Sequence, residues 1–441
     1  MKIERIHSLR GSMTVPGDKS ISHRAVMFGS IAGGVTRITG FLPGEDCLST
    51  IRCFRQMGIA IEQQDTSVTV YGKGLYGLNA PEGPLFVGNS GTTMRLISGI
   101  LVGQDFDCIL DGDQSIRKRP MRRIITPLLM MGAKISGTDQ SCPDMAPLKI
   151  SGRKGKLRSI FYEMPVASAQ VKSCVLLAGL YTNDTGKMGV LEPVPSRDHT
   201  ERMLSGFGVH FEHVGNSIVL NRMAGLTDPR WDLKGDFVRR ILVPGDISSA
   251  AYVIAAALLT KDSEVLIRNV GVNPTRDGII RVAKAMGGKI RYLNEHEESG
   301  EPVADLRVES SRLTGTVISG DLIPSLIDEI PVIAVMAAAA EGETVIRDAA
   351  ELRVKESDRI ETVVKNLRSI GVDAKPLEDG MVIKGGPIHG GQVTAFKDHR
   401  IAMAFSIAGM ISEEPVEIDD TDCVAISWPG FYSDLESIRA E

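Results

Sequence analysis

The chain has 441 residues, a net charge of −5 and 43% hydrophobic residues. A chain of this length exceeds one typical domain, so two or three domains are expected, each able to bury a core. The acidic balance and the low aromatic content of 5% argue against a nucleic-acid-binding protein, which needs a basic face or stacking platforms.

The cysteine pattern and the N-terminus indicate a cytoplasmic protein. The six cysteines, at 47, 53, 108, 142, 174 and 423, form no CxxC pair and no Cys/His cluster with zinc spacing. The first residues, MKIERIHSLRGSM, lack the apolar core of a signal peptide. The longest apolar stretches, near residues 250–259 and 332–340, are too short to cross a bilayer. We therefore expect reduced thiols, no metal and no membrane contact.

Six apolar helices of one kind are predicted along the chain. They begin, in order, at Ser20, Gly91, Ser168, Ser248, Asp328 and Asp398. Small or acidic residues at such starts can cap the free backbone N–H groups of a helix. Strand-like runs such as TRITG, EVLIRNV and ETVIRDA follow most of them.

A second kind of helix falls between them and ends in an apolar residue followed by glycine. The five glycines are Gly58, Gly132, Gly208, Gly287 and Gly371, each suited to a left-handed C-terminal cap. Two of these helices are predicted to open at Arg119 and at Lys355. Because the helices of the first kind start roughly 70–80 residues apart, the chain reads as six copies of one strand–helix–strand–helix–strand–strand unit. The fold class is therefore α/β.

Two similar segments indicate where the chain passes between two lobes of three units each. A composition break covers residues 231–248 and ends in VPGDIS, while the N-terminal strand ends in VPGDKS. We predict an N-terminal lobe of residues 18–242 and a C-terminal lobe of residues 1–17 plus 243–441.

Polar and charged residues gather at the predicted helix starts rather than along the helices. A helix N-terminus carries free N–H groups and a partial positive charge, so several of them facing one cleft would bind anions. Arginines suit phosphates and carboxylates through their forked donors. The carboxylates of Asp328 and Glu356 could transfer protons in such a cationic cleft between the lobes.

Eight motifs in this order resemble those of the 3-phosphoshikimate 1-carboxyvinyltransferase (EPSP synthase) family: PGDKSISHR, GNSGTTMR, RKRPM, SAQVK, RDHTE, NPTR, LRVKESDR and DHRIAMAF. The resemblance implies a two-lobed fold with three βαβαββ units in each lobe. It also implies addition–elimination that moves the enolpyruvyl group of phosphoenolpyruvate to the 5-hydroxyl of shikimate 3-phosphate, in the shikimate pathway to chorismate and aromatic amino acids. No cofactor or metal is expected, and a cytoplasmic monomer acting on small molecules is implied.

The resemblance also implies roles for individual residues. Asp328 would be the base for the 5-hydroxyl, Glu356 the acid for the methylene carbon, and Lys19 would touch both substrates and help phosphate leave. Shikimate 3-phosphate would be held, besides Lys19 and Asp328, by Ser20, Arg24, Ser168, Ala169, Gln170, Ser196, Arg197 and Lys355. Phosphoenolpyruvate would be held, besides Lys19, by Asn89, Gly91, Arg119, Gln170, Arg359 and Arg400.

Two features depart from the family pattern. Many members carry a lysine in the segment that here reads CVAISWPGF, so the phosphate contact made by that lysine is absent or comes from another residue. SAQVK, RDHTE and NPTR resemble the class II subgroup, known for glyphosate tolerance, and predict tolerance. Gly91 stands where the best-known tolerant relatives have alanine, and it predicts sensitivity; the sequence leaves both outcomes open.

Two other families compete with this assignment. A UDP-N-acetylglucosamine enolpyruvyl transferase shares the fold and the donor, but it typically has a reactive cysteine where Gln114 or its neighbours stand. The nearest cysteine, Cys108, lies in the apolar run FDCIL and is expected to be core. An RNA-cyclase-like protein would need ATP and a basic RNA surface, whereas the chain is acidic and has no P-loop.

Overall fold

The computed structural model describes residues 1–221 and 238–440 of the chain. Its α-helices are α1 (Lys19–Ile31), α2 (Glu45–Gln56), α3 (Gly91–Leu101), α4 (Arg122–Met130), α5 (Ala169–Gly179), α6 (His199–Gly206), α7 (Ile247–Leu259), α8 (Gly278–Ala285), α9 (Ile330–Ala338), α10 (Arg359–Ser369), α11 (His399–Ile411) and α12 (Phe431–Ser437). Its strands are β1 (Lys2–Ile3), β2 (Ser8–Thr14), β3 (Gly33–Thr39), β4 (Ala60–Gln64), β5 (Ser67–Lys73), β6 (Leu85–Phe86), β7 (Asp107–Asp111), β8 (Lys134–Gly137), β9 (Leu148–Ser151), β10 (Phe161–Glu163), β11 (Gly189–Leu191), β12 (His210–Val214), β13 (Ser217–Asn221), β14 (Val238–Leu242), β15 (Glu264–Gly271), β16 (Lys289–Glu298), β17 (Glu301–Glu309), β18 (Val317–Ile318), β19 (Glu343–Ile346), β20 (Asp373–Pro376), β21 (Met381–Lys384), β22 (Gly391–Val393), β23 (Val416–Ile418) and β24 (Arg439–Ala440).

The chain divides into two lobes, each with its own cluster of buried apolar side chains. The N-terminal lobe comprises Lys19–Val243 with Ser299–Glu301, and the C-terminal lobe comprises Met1–Asp18, Pro244–Glu298 and Pro302–Glu441. The division therefore falls one residue beyond each of the two boundaries predicted from the sequence. Residues 231–237 of the predicted composition break lie outside the described residues.

One sheet arrangement recurs in both lobes. In the N-terminal lobe the strand orders are β14-β3-β5-β4, β6-β7-β9-β8 and β10-β11-β13-β12. In each of these sheets the first pair is parallel and the next two pairs are antiparallel. The C-terminal lobe repeats the order in β2-β15-β17-β16, which β24 extends, and in β18-β19-β21-β20, while β22-β23-β1 forms a shorter version. The predicted fold of three βαβαββ units in each lobe is confirmed.

The first strand of each lobe comes from a distant part of the sequence. β2 precedes α1 along the chain, but it pairs in parallel with β15 of the C-terminal lobe, where Arg10 lies opposite Glu264. β14 precedes α7, but it pairs in parallel with β3 of the N-terminal lobe, where Val238 lies opposite Val35. Each lobe thus takes one strand from the segment that leads into the other.

The helices of the first kind form the centre of each lobe. Every residue from Ile21 to Ile31 in α1 and from Ile247 to Leu258 in α7 is buried. Small residues let these helices approach closely, because a Cβ added to Gly99 of α3 would lie 2.3 Å from the carbonyl oxygen of Cys174 in α5. With their sides packed in the core, the helices keep polar groups at their ends.

The helices of the second kind are α2, α4, α6, α8 and α10. The glycines that follow them, Gly58, Gly132, Gly208, Gly287 and Gly371, have φ angles between +83° and +94°. Glycine adopts this left-handed conformation without the steric penalty of a Cβ. The predicted left-handed caps are confirmed, and α12 is a further helix at the position of a sixth.

Three predicted helix starts are wrong by two to four residues. Arg119 is extended because Pro120 follows it, so α4 begins only at Arg122. Lys355 is extended after the 3-10 helix Ala350–Val354, and α10 begins at Arg359. α9 begins at Ile330 rather than at Asp328. The side chains predicted for the site at these three positions consequently lie on the segments that lead into the helices.

The six cysteines are free thiols, and Cys108 is buried as predicted for a core position while Cys142 is exposed. Across the described residues, none of the helices combines the length and the apolar character that crossing a membrane requires.

Candidate functional site

The starts of α1, α3 and α5 carry predicted anion-binding residues of the N-terminal lobe. Lys19 and Ser20 are the first residues of α1, and Gly91 is the first residue of α3. Ser168 caps α5 by accepting a hydrogen bond from the Val171 N–H at 3.4 Å, and Ala169 and Gln170 follow it as the first helical residues. These helix ends present backbone N–H groups and partial positive charge.

Arg119 and Asn89 are brought together across 30 positions of sequence. Nη2 of Arg119 donates to Oδ1 of Asn89 at 2.9 Å. Because Asn89 lies just before the start of α3, this hydrogen bond places a guanidinium beside the N-terminus of that helix. Both contributions favour an anion at the same end.

A second guanidinium, that of Arg95, lies over the same helix end. Its Nη1 donates to Oε1 of Gln170 at 2.5 Å, and Nε2 of Gln170 donates to the Thr92 hydroxyl at 3.0 Å. A Cβ added to Gly91 would lie 3.0 Å from Nη1 of Arg95 and 3.5 Å from Nη1 of Arg119. Gly91 therefore sits directly beneath two cationic groups.

Arg24 is buried among three polar neighbours. Its Nε donates to the Thr200 hydroxyl at 2.8 Å, Nη2 donates to the Ser173 hydroxyl at 2.9 Å, and Nη1 donates to the Ser20 carbonyl at 3.0 Å. Thr200 and Ser173 are themselves 2.6 Å apart. Arg24 thus ties the start of α1 to α5 and α6.

Lys19 and Arg197 are, like Arg119, partly exposed, whereas Arg24 is buried. Nζ of Lys19 lies 3.3 Å from Oδ2 of Asp46, a pair with 22% and 16% side-chain exposure. Arg197 is partly exposed and lies just before α6. Both side chains therefore keep part of their surface accessible to a ligand.

Ser196 belongs to a buried charged cluster. Nζ of Lys172 lies 2.9 Å from Glu192 and 2.8 Å from Glu201, and it donates to the Ser196 carbonyl at 3.1 Å. Glu192 also accepts hydrogen bonds from the N–H and the hydroxyl of Ser196. Burial alone would lower the pKa of Lys172, but Glu201 and Glu192 raise it, so the ammonium stays charged. The cluster fixes the segment that precedes Arg197.

In the C-terminal lobe, Asp328 lies between two cations. Its Oδ1 is 3.1 Å from Nζ of Lys355 and 3.6 Å from Nη1 of Arg359. The backbone carbonyl of Asp328 accepts a hydrogen bond from Nη1 of Arg400 at 2.9 Å. Three basic residues therefore converge on one carboxylate and its own backbone.

Arg359 is the centre of this group. Its Nε and Nη2 donate to the two carboxylate oxygens of Asp398 at 2.8 and 3.1 Å, and Nη2 also donates to Glu356 at 2.7 Å. Burial opposes the charge of Arg359, but Asp398 and Glu356 raise its pKa. Burial would raise the pKa of Asp398, but Arg359 lowers it below its ordinary value. The two groups remain an ion pair.

Arg400 and Glu329 connect the charged residues around Asp328 to Ser248 of α7. Nη1 of Arg400 is 3.6 Å from Oε1 of Glu329, which accepts a hydrogen bond from the Ser248 hydroxyl. Nη2 of Arg276 donates to the same hydroxyl at 2.7 Å. Burial opposes the charge of Arg400, but Asp328, Tyr252 and Glu329 raise its pKa. The residues around Asp328 are thus held by a continuous buried network.

The predicted site residues fall into two sets, one within each lobe. The N-terminal lobe holds Lys19, Ser20, Arg24, Asn89, Gly91, Arg119, Ser168, Ala169, Gln170, Ser196 and Arg197, and the C-terminal lobe holds Asp328, Lys355, Glu356, Arg359 and Arg400. No role was predicted for Arg95, although it lies one turn after Gly91 within the GNSGTTMR motif. The pairing of Lys172 in SAQVK with Glu201 in RDHTE was also missed, because the two residues lie far apart in sequence.

Comparison with known proteins gives one consistent result. A family model described as EPSP synthase (3-phosphoshikimate 1-carboxyvinyltransferase) matches residues 3–435. The 3-phosphoshikimate 1-carboxyvinyltransferases of Brevibacillus brevis and Thermoanaerobacter sp. strain X514 are 53% and 52% identical over 439 residues, which is 99% of this chain and 99% and 100% of theirs.

Solved structures agree with the sequence matches. The structure of EPSP synthase from Acinetobacter baumannii has a TM-score of 0.86 and 45% identity, covering 99% of this chain and 98% of that one. The enolpyruvyl transferase NikO from Streptomyces tendae shares the fold, with a TM-score of 0.76 at 15% identity over 100% of this chain and 97% of that one. The chain belongs to the EPSP synthase (3-phosphoshikimate 1-carboxyvinyltransferase) family.

Proposed function

We propose that the polar groups of the two lobes act on one pair of substrates, phosphoenolpyruvate and shikimate 3-phosphate. As a member of its family the chain is a 3-phosphoshikimate 1-carboxyvinyltransferase, an enzyme of the shikimate pathway. It transfers the enolpyruvyl group of phosphoenolpyruvate to the 5-hydroxyl of shikimate 3-phosphate and releases phosphate. The observation that carries the proposal is Asp328, a carboxylate held beside Lys355 and Arg359 at 3.1 and 3.6 Å.

Phosphoenolpyruvate presents a phosphate and a carboxylate to different parts of the protein. We assign its phosphate to the start of α3, with Asn89, Gly91, Arg119 and Gln170. Support comes from the guanidinium of Arg119, which lies beside a helix N-terminus where an anion is favoured.

We assign the carboxylate of phosphoenolpyruvate to Arg359 and Arg400. Nη1 of Arg359 is buried and makes no hydrogen bond within the described part of the chain. This N–H group can take up a carboxylate while Nε and Nη2 keep Asp398. The forked guanidinium suits this double engagement.

Shikimate 3-phosphate is assigned to residues around α1, α5 and the loop before α6, with two residues of the C-terminal lobe. The set is Lys19, Ser20, Arg24, Ser168, Ala169, Gln170, Ser196, Arg197, Asp328 and Lys355. Within it, Arg197 is the better candidate for the phosphate, because both the N–H and the hydroxyl of Ser196 point to Glu192.

The chemistry requires one proton to be removed and another to be added. Asp328 accepts the proton of the 5-hydroxyl as the oxygen attacks C2 of phosphoenolpyruvate, and Glu356 delivers a proton to the methylene carbon. The result is a tetrahedral ketal. Loss of a proton from the new methyl group then expels phosphate, whose negative charge Lys19 stabilises. Glu356 accepts a hydrogen bond from Nη2 of Arg359 at 2.7 Å, which holds its carboxyl group beside the guanidinium assigned to the substrate carboxylate.

The family assignment favours shikimate 3-phosphate over UDP-N-acetylglucosamine as the acceptor. We further propose a cytoplasmic monomer that binds no nucleic acid, in keeping with the net charge of −5. Light scattering after size-exclusion chromatography measures the oligomeric state directly, and a dimeric mass would contradict the proposal.

Replacing Asp328 tests the proposed base. Asp328→Asn keeps the size of the side chain but removes its ability to accept a proton, so kcat should fall about 100-fold or more. The dissociation constant of shikimate 3-phosphate, measured by calorimetry, should change only a few-fold. Asp321→Asn is the matched control, since Asp321 is an exposed acid of the same lobe. Near-normal turnover of Asp328→Asn would remove Asp328 from the mechanism.

A further inference from the structure

A series of buried hydroxyl groups leads from α1 to the start of α3. Nδ1 of His23 lies 2.7 Å from the Thr50 hydroxyl, which lies 2.8 Å from the Thr93 hydroxyl. Thr93 in turn donates to the Ser90 hydroxyl at 2.7 Å. All four residues have 0% exposure, and Ser90 is the residue that caps α3.

The protons of this series can point in one direction only. Each hydroxyl has a single proton to donate. The Thr93 hydroxyl donates to Ser90 at 2.7 Å, with the Asp46 carbonyl as a longer second acceptor at 3.5 Å. Because its single proton is used in this way, Thr93 must accept from Thr50, and Thr50 must then accept from His23. Nδ1 of His23 therefore carries a hydrogen.

The other ring nitrogen of His23 agrees with this direction. Nε2 is buried and has no hydrogen-bond partner among the described residues, so a bare Nε2 leaves no N–H group unsatisfied there. Burial lowers the pKa of His23 well below 6.5, and the charges of Lys19 and Arg24 lower it further. A neutral ring protonated at Nδ1 meets both conditions.

The last member of the series holds the helix end where phosphoenolpyruvate is proposed to bind. The Ser90 hydroxyl accepts from the Thr93 hydroxyl and from the Thr93 N–H at 3.1 Å. These two hydrogen bonds fix the side chain that caps α3. Asn89 and Gly91 are its direct neighbours in sequence, so their positions depend on the same cap.

We infer that His23 is a positioning residue for phosphoenolpyruvate, acting through Thr50 and Thr93 on the start of α3. The inference rests on the proposed function, because it takes Asn89 and Gly91 as phosphate-binding residues. Breaking the series leaves buried polar groups without partners and loosens the cap. Shikimate 3-phosphate is assigned chiefly to α1, α5 and the loop before α6, and Gln170 of its set contacts Thr92 of α3, so its binding should depend less on this cap.

The first test replaces the middle hydroxyl. Thr50→Val has nearly the same shape as the native side chain but cannot pass on a hydrogen bond. The KM for phosphoenolpyruvate should rise about three- to ten-fold, while the KM for shikimate 3-phosphate stays within about two-fold. Thr50→Ser restores the hydroxyl and should restore the native KM.

A matched control removes a buried hydroxyl outside the series. Thr36 has 0% exposure, and its hydroxyl has no hydrogen-bond partner in the described part of the chain. Thr36→Val should leave both KM values unchanged. Equal changes in both KM values of Thr50→Val, together with a lower melting temperature, would show a general loss of stability and overturn the inference.

Failure of the inference and failure of the proposed function give different results. Arg119→Ala, measured in parallel, should raise the KM for phosphoenolpyruvate because it removes a guanidinium assigned to the phosphate. If Arg119→Ala has no such effect, the phosphate assignment itself is wrong. If Arg119→Ala behaves as expected and folded Thr50→Val shows native KM values, the assignment stands and the positioning role of His23 is excluded.

The unmodified protein offers an independent test that needs no variant. Nitrogen-15 NMR of the histidine rings distinguishes a protonated from an unprotonated nitrogen. At neutral pH, His23 should show a protonated Nδ1 and an unprotonated Nε2. A ring protonated at Nε2, or at both nitrogens, would be incompatible with His23 donating to Thr50 as a neutral ring and would overturn the inference.

Discussion

Arg359 is the residue that links the proposed carboxylate site to the two proposed proton-transfer groups. Two of its nitrogens hold Asp398, one of them also holds Glu356, and the third points toward Asp328 at 3.6 Å. The guanidinium has 1% exposure and Asp398 has 0%, so their attraction is little screened by water. The orientation of Arg359 is therefore set by Asp398, and Nη1 remains available for a ligand.

Gly91 is the residue at which an added methyl group would act most directly. The Cβ of Gly91→Ala would lie 3.0 Å from Nη1 of Arg95 and 3.5 Å from Nη1 of Arg119. Arg95 would have to shift by a few tenths of an ångström, and the space beneath both guanidinium groups would shrink. We expect the half-inhibitory glyphosate concentration to rise about ten-fold or more, and the KM for phosphoenolpyruvate to rise only a few-fold. Identical inhibition curves for the two proteins would exclude Gly91 as a determinant.

Lys172 is expected to contribute strongly to stability. Lys172→Met would leave the carboxylates of Glu192 and Glu201 buried, each with 3% exposure, without their cation. The free energy of unfolding, measured in urea, should fall by about 3–5 kcal/mol. The same substitution at Lys154, whose partner Asp105 is exposed, should cost less than about 1 kcal/mol. Equal losses at the two positions would contradict the buried ion cluster.

The residue types of the site could be predicted from the sequence, but their pairings could not. The position of Arg119 is found from a motif, whereas its hydrogen bond to Asn89 spans 30 residues. Lys172 lies in an apolar helix, and its two acidic partners, Glu192 and Glu201, follow well beyond the end of that helix. A buried charge is tolerated only with such partners, and the fold, not local sequence, brings them together.

At the scale of helices, capping residues predict the starts of some helices correctly, whereas the starts of others are predicted too early. Ser168 and Asp398 cap α5 and α11 as predicted, because a cap depends on neighbouring backbone N–H groups. The predicted starts of α4 and α10 are too early. Pro120 keeps Arg119 extended before α4, and the chain leaves the 3-10 helix Ala350–Val354 in an extended conformation before α10 begins. Polar residues that were assigned to helices lie on the preceding loops.

The left-handed caps of the second kind of helix can be tested with one pair of glycines. Gly287 has φ +94° with only the Arg312 carbonyl within 4 Å of an added Cβ, so Gly287→Ala suffers backbone strain alone. The free energy of unfolding should fall by about 1–2 kcal/mol. Gly206, the last residue of α6, has nothing within 4 Å of an added Cβ. Gly206→Ala should be neutral or stabilise by up to about 1 kcal/mol, and a loss as large as that of Gly287→Ala would contradict the proposed difference.

At the scale of the whole molecule, repetition made the fold predictable. Three βαβαββ units in each lobe follow from the regular return of two helix types, and the resemblance of VPGDKS and VPGDIS marks the strands that change lobes. The final unit is less regular, since its sheet has three strands and α12 lacks a terminal glycine. The distances that define the site depend on side-chain packing, which the repeat pattern does not encode.

The measurement that tests the central claim most directly is phosphate release by the purified protein with phosphoenolpyruvate and shikimate 3-phosphate. UDP-N-acetylglucosamine serves as the parallel acceptor, because it separates the acceptor assignment from the fold and the donor. With phosphoenolpyruvate as the donor, we expect phosphate release when shikimate 3-phosphate is the acceptor and no release when UDP-N-acetylglucosamine is the acceptor. Release with the sugar nucleotide alone, or with neither acceptor, would contradict the assignment of the two sets of polar groups to this reaction.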